Sequence, residues 1–388
     1  MNLILFDDPF VREALLPFTF TRPVAEIRVG ILTIREKWEK WLHTTASFQT
    51  AEYLQSKFPK HNTSDNLLIN AAACPDPKLV EAIRGLTPGK FLVQGQTLIA
   101  ARQPGNEMNG GNTLEYPHPF TFINRTWKIF LENGAQLRID FPIVTAGRQS
   151  AGIQDKHTIV YAPENIFVEE GVYIRAATLN AETGPIYLGK NSIVQEGAII
   201  RGAFAMGEGS HVNMGAKMRG DITLGPYCKV GGEVGNSVLF GYSNKAHDGY
   251  LGNSVLGEWC NLGADTNTSN LKNNYDSPKL WNHAFNDFEK TGIQFCGLMM
   301  GDHSKSAINT MFNTATVVDV CSNIFGAGFP SNYVPSFAWG GGTQYTEHQL
   351  DKALETAERV MGRRNVQLTP MDKEILSYIF GLSAPRRR

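Results

Sequence analysis

Between Tyr242 and Gly252 the chain sets Lys245, His247 and Tyr250 within one short block, and Asn261-Leu262-Gly263-Ala264, Asn267 and Asn270 follow it. A neutral imidazole held beside amide side chains and backbone N–H groups can act as a general base toward an attacking nucleophile. A lone histidine on a rigid wall is also a common surface residue, so spacing leaves both readings open. Metal chemistry fits less well. Histidines His211, His247, His283 and His303 include no close pair, and the five cysteines (Cys74, Cys228, Cys260, Cys296, Cys321) form no C-x-x-C. They read as buried thiols of a cytoplasmic protein rather than as a disulfide framework or a zinc site.

The elements that position these residues show in a repeat. From Leu188 an aliphatic residue recurs every sixth position: Leu188, Val194, Ile200, Met206, Val212, Met218, Leu224 and Val230. Gly follows four of them, and small residues (Ser192, Ala198, Ser210, Ala216, Cys228) sit two places before several others. The phase returns at Leu256 and Leu262 and again from Met300 to Ile324. A period of six suits neither a helix nor a long strand. It suits a parallel β-helix whose short strands turn a corner each hexad, with aliphatic side chains inside. Three hexads make a coil, so residues 18 apart should stack, which would bring His247 near position 265 and Asn261 on neighbouring coils.

The segment Thr268–Gly292 breaks the hexads with polar and aromatic residues and must leave the prism; Trp281, Phe285 and Phe288 suggest a docked loop. The run Gly340–Gly342 ends the repeat. A helix through Leu350 and Met361 follows, with Thr346 and Gln349 as its expected capping box. A second begins at Thr369-Pro370, with Asp372 closing its box. These helices are expected to cap the open end of the prism, and Arg386–Arg388 to form a solvated tail. Residues 1–150 read as an α/β domain, with strands at Met1–Phe6 and Asn66–Ala71 and helices at Ile31–Trp41, Lys78–Arg84 and Trp127–Asn133. The expected divisions are thus 1–150, 151–343 and 344–388.

Bulk properties exclude several classes. Lys+Arg 36 against Asp+Glu 37 leaves a net charge of −1, with no electrostatic footprint for nucleic acid or an anionic membrane. No apolar run reaches the roughly 18 residues of a membrane span, and the N-terminus lacks the basic flank of a signal peptide. Hydrophobic residues at 42% suffice to build a core.

The block Ser243-Asn244-Lys245-Ala246-His247, then Tyr250-Leu251-Gly252, then Asn261-Leu262-Gly263-Ala264-Asp265-Thr266 and Asn270, with hexads on both sides, resembles the C-terminal half of the bifunctional sugar-1-phosphate nucleotidyltransferase/amino-sugar-1-phosphate acetyltransferases. The resemblance implies a left-handed parallel β-helix, a homotrimer, and acetyl-CoA as co-substrate in N-acetylation of a glucosamine-1-phosphate-like sugar. It places His247 as the base toward the sugar amine, and Arg219, Tyr250, Asn261 and Asn270 as sugar- or phosphate-binding residues. Ala264 and Gly326 fall where the backbone approaches the cofactor. Asp265 stands where the family has Gly, and a family Lys near Gly235 is missing. A non-catalytic trimeric sugar-nucleotide-binding scaffold is the principal alternative.

The N-terminal match is looser. Thr19-Phe20-Thr21-Arg22-Pro23 resembles the Thr-x-x-Arg-Pro-Lys segment of sugar nucleotidyltransferases, but Val24 replaces the Lys, and Phe6-Asp7-Asp8-Pro9-Phe10 replaces the Gly-rich phosphate loop. By that resemblance Arg22 and Arg28 would hold phosphates and Asp7 would help bind Mg²⁺ if this domain transfers nucleotides. Equally, Arg22, Glu26 and Arg28 could form a structural ion-pair cluster. A domain this short could be a degenerate one, leaving sugar-1-phosphate nucleotidyl transfer as an alternative activity.

Overall fold

The computed structural model describes residues 2–103, 105, 112–342 and 344–387. Asn2–Phe6 (β1), Ala46–Gln49 (β2), Asn66–Asn70 (β3), Lys90–Gln94 (β4), Thr97–Gln103 (β5) and Asn112–Glu115 (β6) form a mixed sheet in the order β2-β1-β3-β5-β4-β6. β1 runs parallel to β2 and β3, whereas β5 is antiparallel to β3 and β4. Short helix Pro9–Ala14 (α1) is capped by Asp8, and Ile34–Leu42 (α2) starts three residues later than the sequence suggests because Thr33 and Glu36 close a capping box there. Pro77–Arg84 (α3) follows its Asp76 cap. The expected helix at Trp127–Asn133 is the first third of a 20-residue helix, Thr126–Thr145 (α4), which continues through Pro142.

From Ile159 the chain winds into a three-sided parallel β-helix. Its first face has six strands, from Ile159–Tyr161 to Tyr250–Gly252, its second nine, from Ile166–Val168 to Tyr333–Val334, and its third ten. The third face runs from Tyr173–Ile174 to Ala338–Gly341, then closes with Gln344–Glu347 paired antiparallel to that last strand. All eight hexad aliphatics are fully buried in one continuous core, each burial stabilising by about 1.5–3 kcal/mol before entropy is counted.

Coil length changes where the chemistry lies. Ile193 pairs with His211 and His211 with Lys229, each 18 residues on, but Lys229 pairs with Asn244 and Asn244 with Asn261, 15 and 17 residues on. Position 245 therefore takes the inward site after Val230, so a lysine enters the aliphatic column. The next coil is longer still: Asn261 pairs with Lys305. The extra residues form the hairpin Lys279–Asn282/Asp287–Lys290, which docks through Trp281 stacked on Tyr333 at 4.3 Å, Phe10 against Phe285 at 5.5 Å, and Arg125 paired with Glu289 at 2.9 Å.

The second face is covered by the N-terminal domain. Val238, Phe240, Val255, Met299 and Val317 share one core with Leu5, Phe18, Trp38 and Ile129. Asn133 of α4 ties the seam: its Oδ1 accepts from Gly30 N at 2.7 Å and Thr223 Oγ1 at 2.9 Å, and its Nδ2 donates to Asp221 O at 2.8 Å. The prism thus lacks an independent core on this side.

The C-terminal helices Leu350–Gly362 (α5) and Pro370–Ser383 (α6) differ from expectation in position and in one cap. Thr346 lies in the closing strand, and α5 starts at Gln349 without a capping box, whereas Thr369 and Asp372 do form one for α6. The pair packs against the flank of the prism and the N-terminal domain together, sharing a core of Leu16, Phe20, Leu54, Trp259, Val320, Phe337, Ala357 and Ile379. Tyr345 of the closing hairpin, rather than a helix, packs on the inner prism core. Nor do Arg386 and Arg387 float free. Arg386 contacts His283 Nδ1 at 2.8 Å, and Arg387 bonds Glu347 at 3.1 Å with its guanidinium 4.1 Å from the Phe380 ring. Arg388 lies outside the described residues.

Candidate active site

His247 occupies the corner between the third and first faces, just after the strand Asn244–Lys245. Its ring is exposed, and clefts open on either side of it. The corner is held from within. Lys245 is 2% exposed, and its Nζ donates to the carbonyls of Gly231 at 3.1 Å, His247 at 2.5 Å and Asp248 at 3.1 Å. Burial pulls this ammonium down to about 8. An ammonium has three protons to give, so its donors are matched to the three carbonyls, two of which belong to the corner itself. The sequence marked Lys245 as a break in the hexads; the inward direction follows only from the shortened coil.

One cleft, of about 660 Å³, lies between the third face and the end of α5. His247, Asn261 and Ala264 line it together with Lys229, Tyr242, Asn244, Lys305, Arg363 and Arg364. Asn244, Asn261 and Lys305 stand in register on adjacent coils, which explains their convergence. Corner residues Tyr227, Tyr242 and Trp259 stack at 5.2 and 4.1 Å and stiffen the wall. The other cleft, of about 710 Å³, shares Lys229, His247, Ala246 and Ala264 with the first and adds His211, Asn213, Asp248 and Asp265. Asp265 has φ 55°. That left-handed conformation is the one Gly supplies most easily, and Asp is among the side chains that tolerate it. The departure thus preserves the backbone and adds a carboxylate.

Arg219, Tyr250 and Asn270 gather on the first face instead. Tyr250 pairs in register with Glu233, which holds Arg219 at 2.7 Å. Asn270 Nδ2 donates to Tyr250 Oη at 2.9 Å and to Asn253 Oδ1 at 2.8 Å. Arg219 packs its stem near the bare Cα of Gly235, where the family Lys is missing. The six expected residues therefore form two groups around one corner. Gly326 belongs to neither: it turns with φ 118° near Gly341, in the last coils. Lys229, Lys305, Arg363 and Arg364 were missed, since the two lysines sit on outward strand positions and the two arginines at a helix end, with no motif to mark them.

The N-terminal candidates all make contacts within the protein. β2 and β3 flank β1, so a ligand crevice is expected outside the carboxyl ends of β1 and β3. Segment 18–25 folds over that place: Val24 N donates to Asp7 at 3.0 Å, and Phe18, Val24, Ala25 and Ala71 are buried with Leu280 of the prism hairpin. Asp7 also accepts from Thr50 Oγ1 at 2.5 Å, and burial raises its pKa to about 6. Asp8 is spent as the α1 cap. Neither acid is arranged for Mg²⁺, and among the described residues no cluster of His, Cys, Asp or Glu suits a metal ion. Arg22 is buried against Asp302 and 3.4 Å from Glu258, both on the prism, while Arg28 bonds the carbonyls of Phe240 and Ile31. They line a cleft of about 460 Å³ where the domain, the prism and α6 meet. The trio is not paired internally: Arg22 pairs across to the prism, whereas Arg28 pairs with Glu36 at 3.7 Å and Glu26 with Arg35 at 2.5 Å inside the domain.

Among the described residues no helix is long and apolar enough to cross a membrane. Residues 3–149 match the sugar nucleotidyl transferase family model. The chain is similar to bifunctional protein GlmU of Trichodesmium erythraeum, 34% identical over 108 residues (27% of this chain, 22% of the relative), and of Synechococcus elongatus, 29% identical over 137 (33% and 29%). Cyanothece GlmU is 29% identical over 171 residues (40% and 36%). These matches span about a fifth to a third of the relatives' own length. Among solved structures, an Arabidopsis UDP-N-acetylglucosamine acyltransferase aligns over 60% of this chain and 81% of its own, at 14% identity and a TM-score of 0.23. Residues 3–149 thus match the sugar nucleotidyl transferase family model, and parts of the chain are similar to the bifunctional GlmU proteins.

Proposed function

We propose that this protein transfers the acetyl group of acetyl-CoA to the amine of an amino-sugar 1-phosphate. The observation that carries the reading is His247 on a ridge between two clefts that share Lys229, one adding Lys305, Arg363 and Arg364 and the other adding Asp248 and Asp265. The cleft toward α5 is cationic and suits a phosphorylated acyl carrier. The cleft with Asp248 and Asp265 suits an amine. In the reaction His247 takes a proton from the acceptor nitrogen as that nitrogen attacks the thioester carbonyl. The C–N bond forms, the C–S bond breaks, and the thiolate leaves to be protonated. Ala264 lines both clefts beside His247, and in this reading a backbone N–H there serves the developing oxyanion, where such donors lower the barrier most.

In the N-terminal domain Phe6-Asp7-Asp8-Pro9-Phe10 stands in place of a Gly-rich phosphate loop, so in this reading the domain buttresses the second face. Nucleotidyl transfer remains the second reading, favoured by the family match at residues 3–149. The first face presents Ile159, Tyr161 and Ile199 about half exposed; self-association into a homotrimer would cover them. The test is release of free thiol from acetyl-CoA with a panel of amino-sugar phosphates and their hydroxyl counterparts. Release only with amines supports the reading. Equal rates with hydroxyl sugars transfer it to O-acylation, and no release with any acceptor removes it.

A further inference from the structure

The cleft beside His247 is lined by four cations, Lys229, Lys305, Arg363 and Arg364, and by no Asp or Glu. Among the described residues none of the four has a carboxylate partner within salt-bridge distance, although α5 itself carries Glu355 and pairs it with Arg359 one turn earlier. Arg364 instead donates to Asn244 Oδ1 at 3.1 Å, and Lys305 to the carbonyl of His303 at 2.8 Å. Arginines at a helix C-terminus are favourable on their own account. That cannot explain Lys229 and Lys305, which come from strands of the third face, on either side of Asn244 and Asn261, and aim into the same space. The two arginines and burial together lower the Lys229 pKa, with burial the larger cause, so the charges do repel one another in the empty cleft. A chain of net charge −1 has concentrated uncompensated positive charge at one place.

We infer that Lys229, Lys305, Arg363 and Arg364 form a clamp for the phosphates of a nucleotide-bearing acyl carrier, with α5 supplying half of it. The assignment rests on the acyl-transfer reading and adds to it which cleft holds the donor and which residues hold its charge. A single sugar phosphate also carries phosphate chemistry, so the two sources must be separated. The carrier is favoured because four cations exceed what one phosphate engages, and because carboxylates (Asp248, Asp265) for the amine occur only in the cleft across His247, which shares Lys229.

The test is calorimetric titration of the full chain with coenzyme A, dephospho-coenzyme A and glucosamine 1-phosphate. Arg363→Gln/Arg364→Gln is compared with wild type, with Arg359→Gln as a control on the same helix and Lys229→Met as a second variant. Loss of charge-assisted bonds to phosphate should weaken coenzyme A about 10–100-fold. Arg359→Gln should leave it unchanged, and the sugar phosphate should bind all proteins alike. Unchanged coenzyme A affinity in both variants overturns the clamp while leaving thiol release, and hence acyl transfer, intact. Weakened sugar phosphate with unchanged coenzyme A overturns the assignment to the carrier. If wild type neither binds coenzyme A nor releases thiol, the acyl-transfer reading itself has failed.

Discussion

Replacing Lys245 with Met tests whether the corner that carries His247 is held from inside the prism. The side chain is buried in the aliphatic column and its ammonium meets three carbonyls. Burial lowers its pKa from 10.5 to about 8, and a shift of this size is worth about 3 kcal/mol of destabilisation while the group stays charged. Met fills nearly the same volume and removes that penalty. It also strips donors from carbonyls that accept no backbone N–H among the described residues, at about 1 kcal/mol each. The two effects oppose, so the variant should lie within about 2 kcal/mol of wild type at neutral pH by denaturant unfolding. Activity should not be spared, because a misplacement of about 1 Å at a catalytic group costs on the order of 10²-fold. We expect thiol release to fall about 10–100-fold in kcat with KM little changed. A second readout follows from linkage. With the folded pKa depressed, the unfolded chain binds more protons between about pH 8 and 10.5, so wild-type stability should gain from this group as pH rises through that window. The Met variant should lack the gain. Wild-type kcat in Lys245→Met, or an unchanged alkaline stability profile, would refute the reasoning.

Four further outcomes follow. Asp302→Asn should destabilise the whole chain by about 3–5 kcal/mol, because it leaves Arg22 buried without its nearest carboxylate; equilibrium unfolding measures this, and a loss under 1 kcal/mol would contradict it. Asp7 has a folded pKa raised to about 6, so its contribution is full below pH 4 and lost as pH rises through 6. Asp7→Asn should therefore gain on wild type by about 3 kcal/mol between pH 4 and 7, whereas a metal ligand would show as lost Mg²⁺-dependent activity. Residues 151–388 alone, with Val238, Phe240, Val255 and Met299 uncovered, should aggregate rather than stay active, which size-exclusion chromatography at low concentration reads directly. Light scattering should give three times the 42.9 kDa chain mass; a stable monomer contradicts the homotrimer.

The hexads made the prism legible because each inward residue must be apolar and each corner tight, a constraint repeated coil after coil. They could not show where coils lose residues. Expectation set His247 against position 265 by an 18-residue step, yet Lys229, Asn244 and Asn261 follow steps of 15 and 17, and this alone turns Lys245 inward. The N-terminal strands Asn2–Phe6 and Asn66–Asn70 were readable as apolar runs. Their partnership with the second prism face was not, since Val238 and Val255 look like any strand residue until α4 and Phe18 pack on them. Arg22 shows the same limit: its motif suggested phosphate, but Asp302, 280 residues away, claims it. The second capping box was legible at Thr369, where side chain and backbone are local; the first failed at Thr346, where strand pairing with Trp339 prevailed.

The central claim is that His247 removes the proton that lets an amine attack the thioester. The most direct measurement is the initial rate of thiol release from acetyl-CoA with saturating glucosamine 1-phosphate, for wild type and His247→Ala side by side, with unfolding curves for both. A general base contributes about 10²–10⁴-fold, so the rate should fall by that factor while the unfolding midpoint holds, the ring being exposed. A folded His247→Ala protein that releases thiol at the wild-type rate would contradict the account and move the base elsewhere, with Asp248 and Asp265 the nearest candidates.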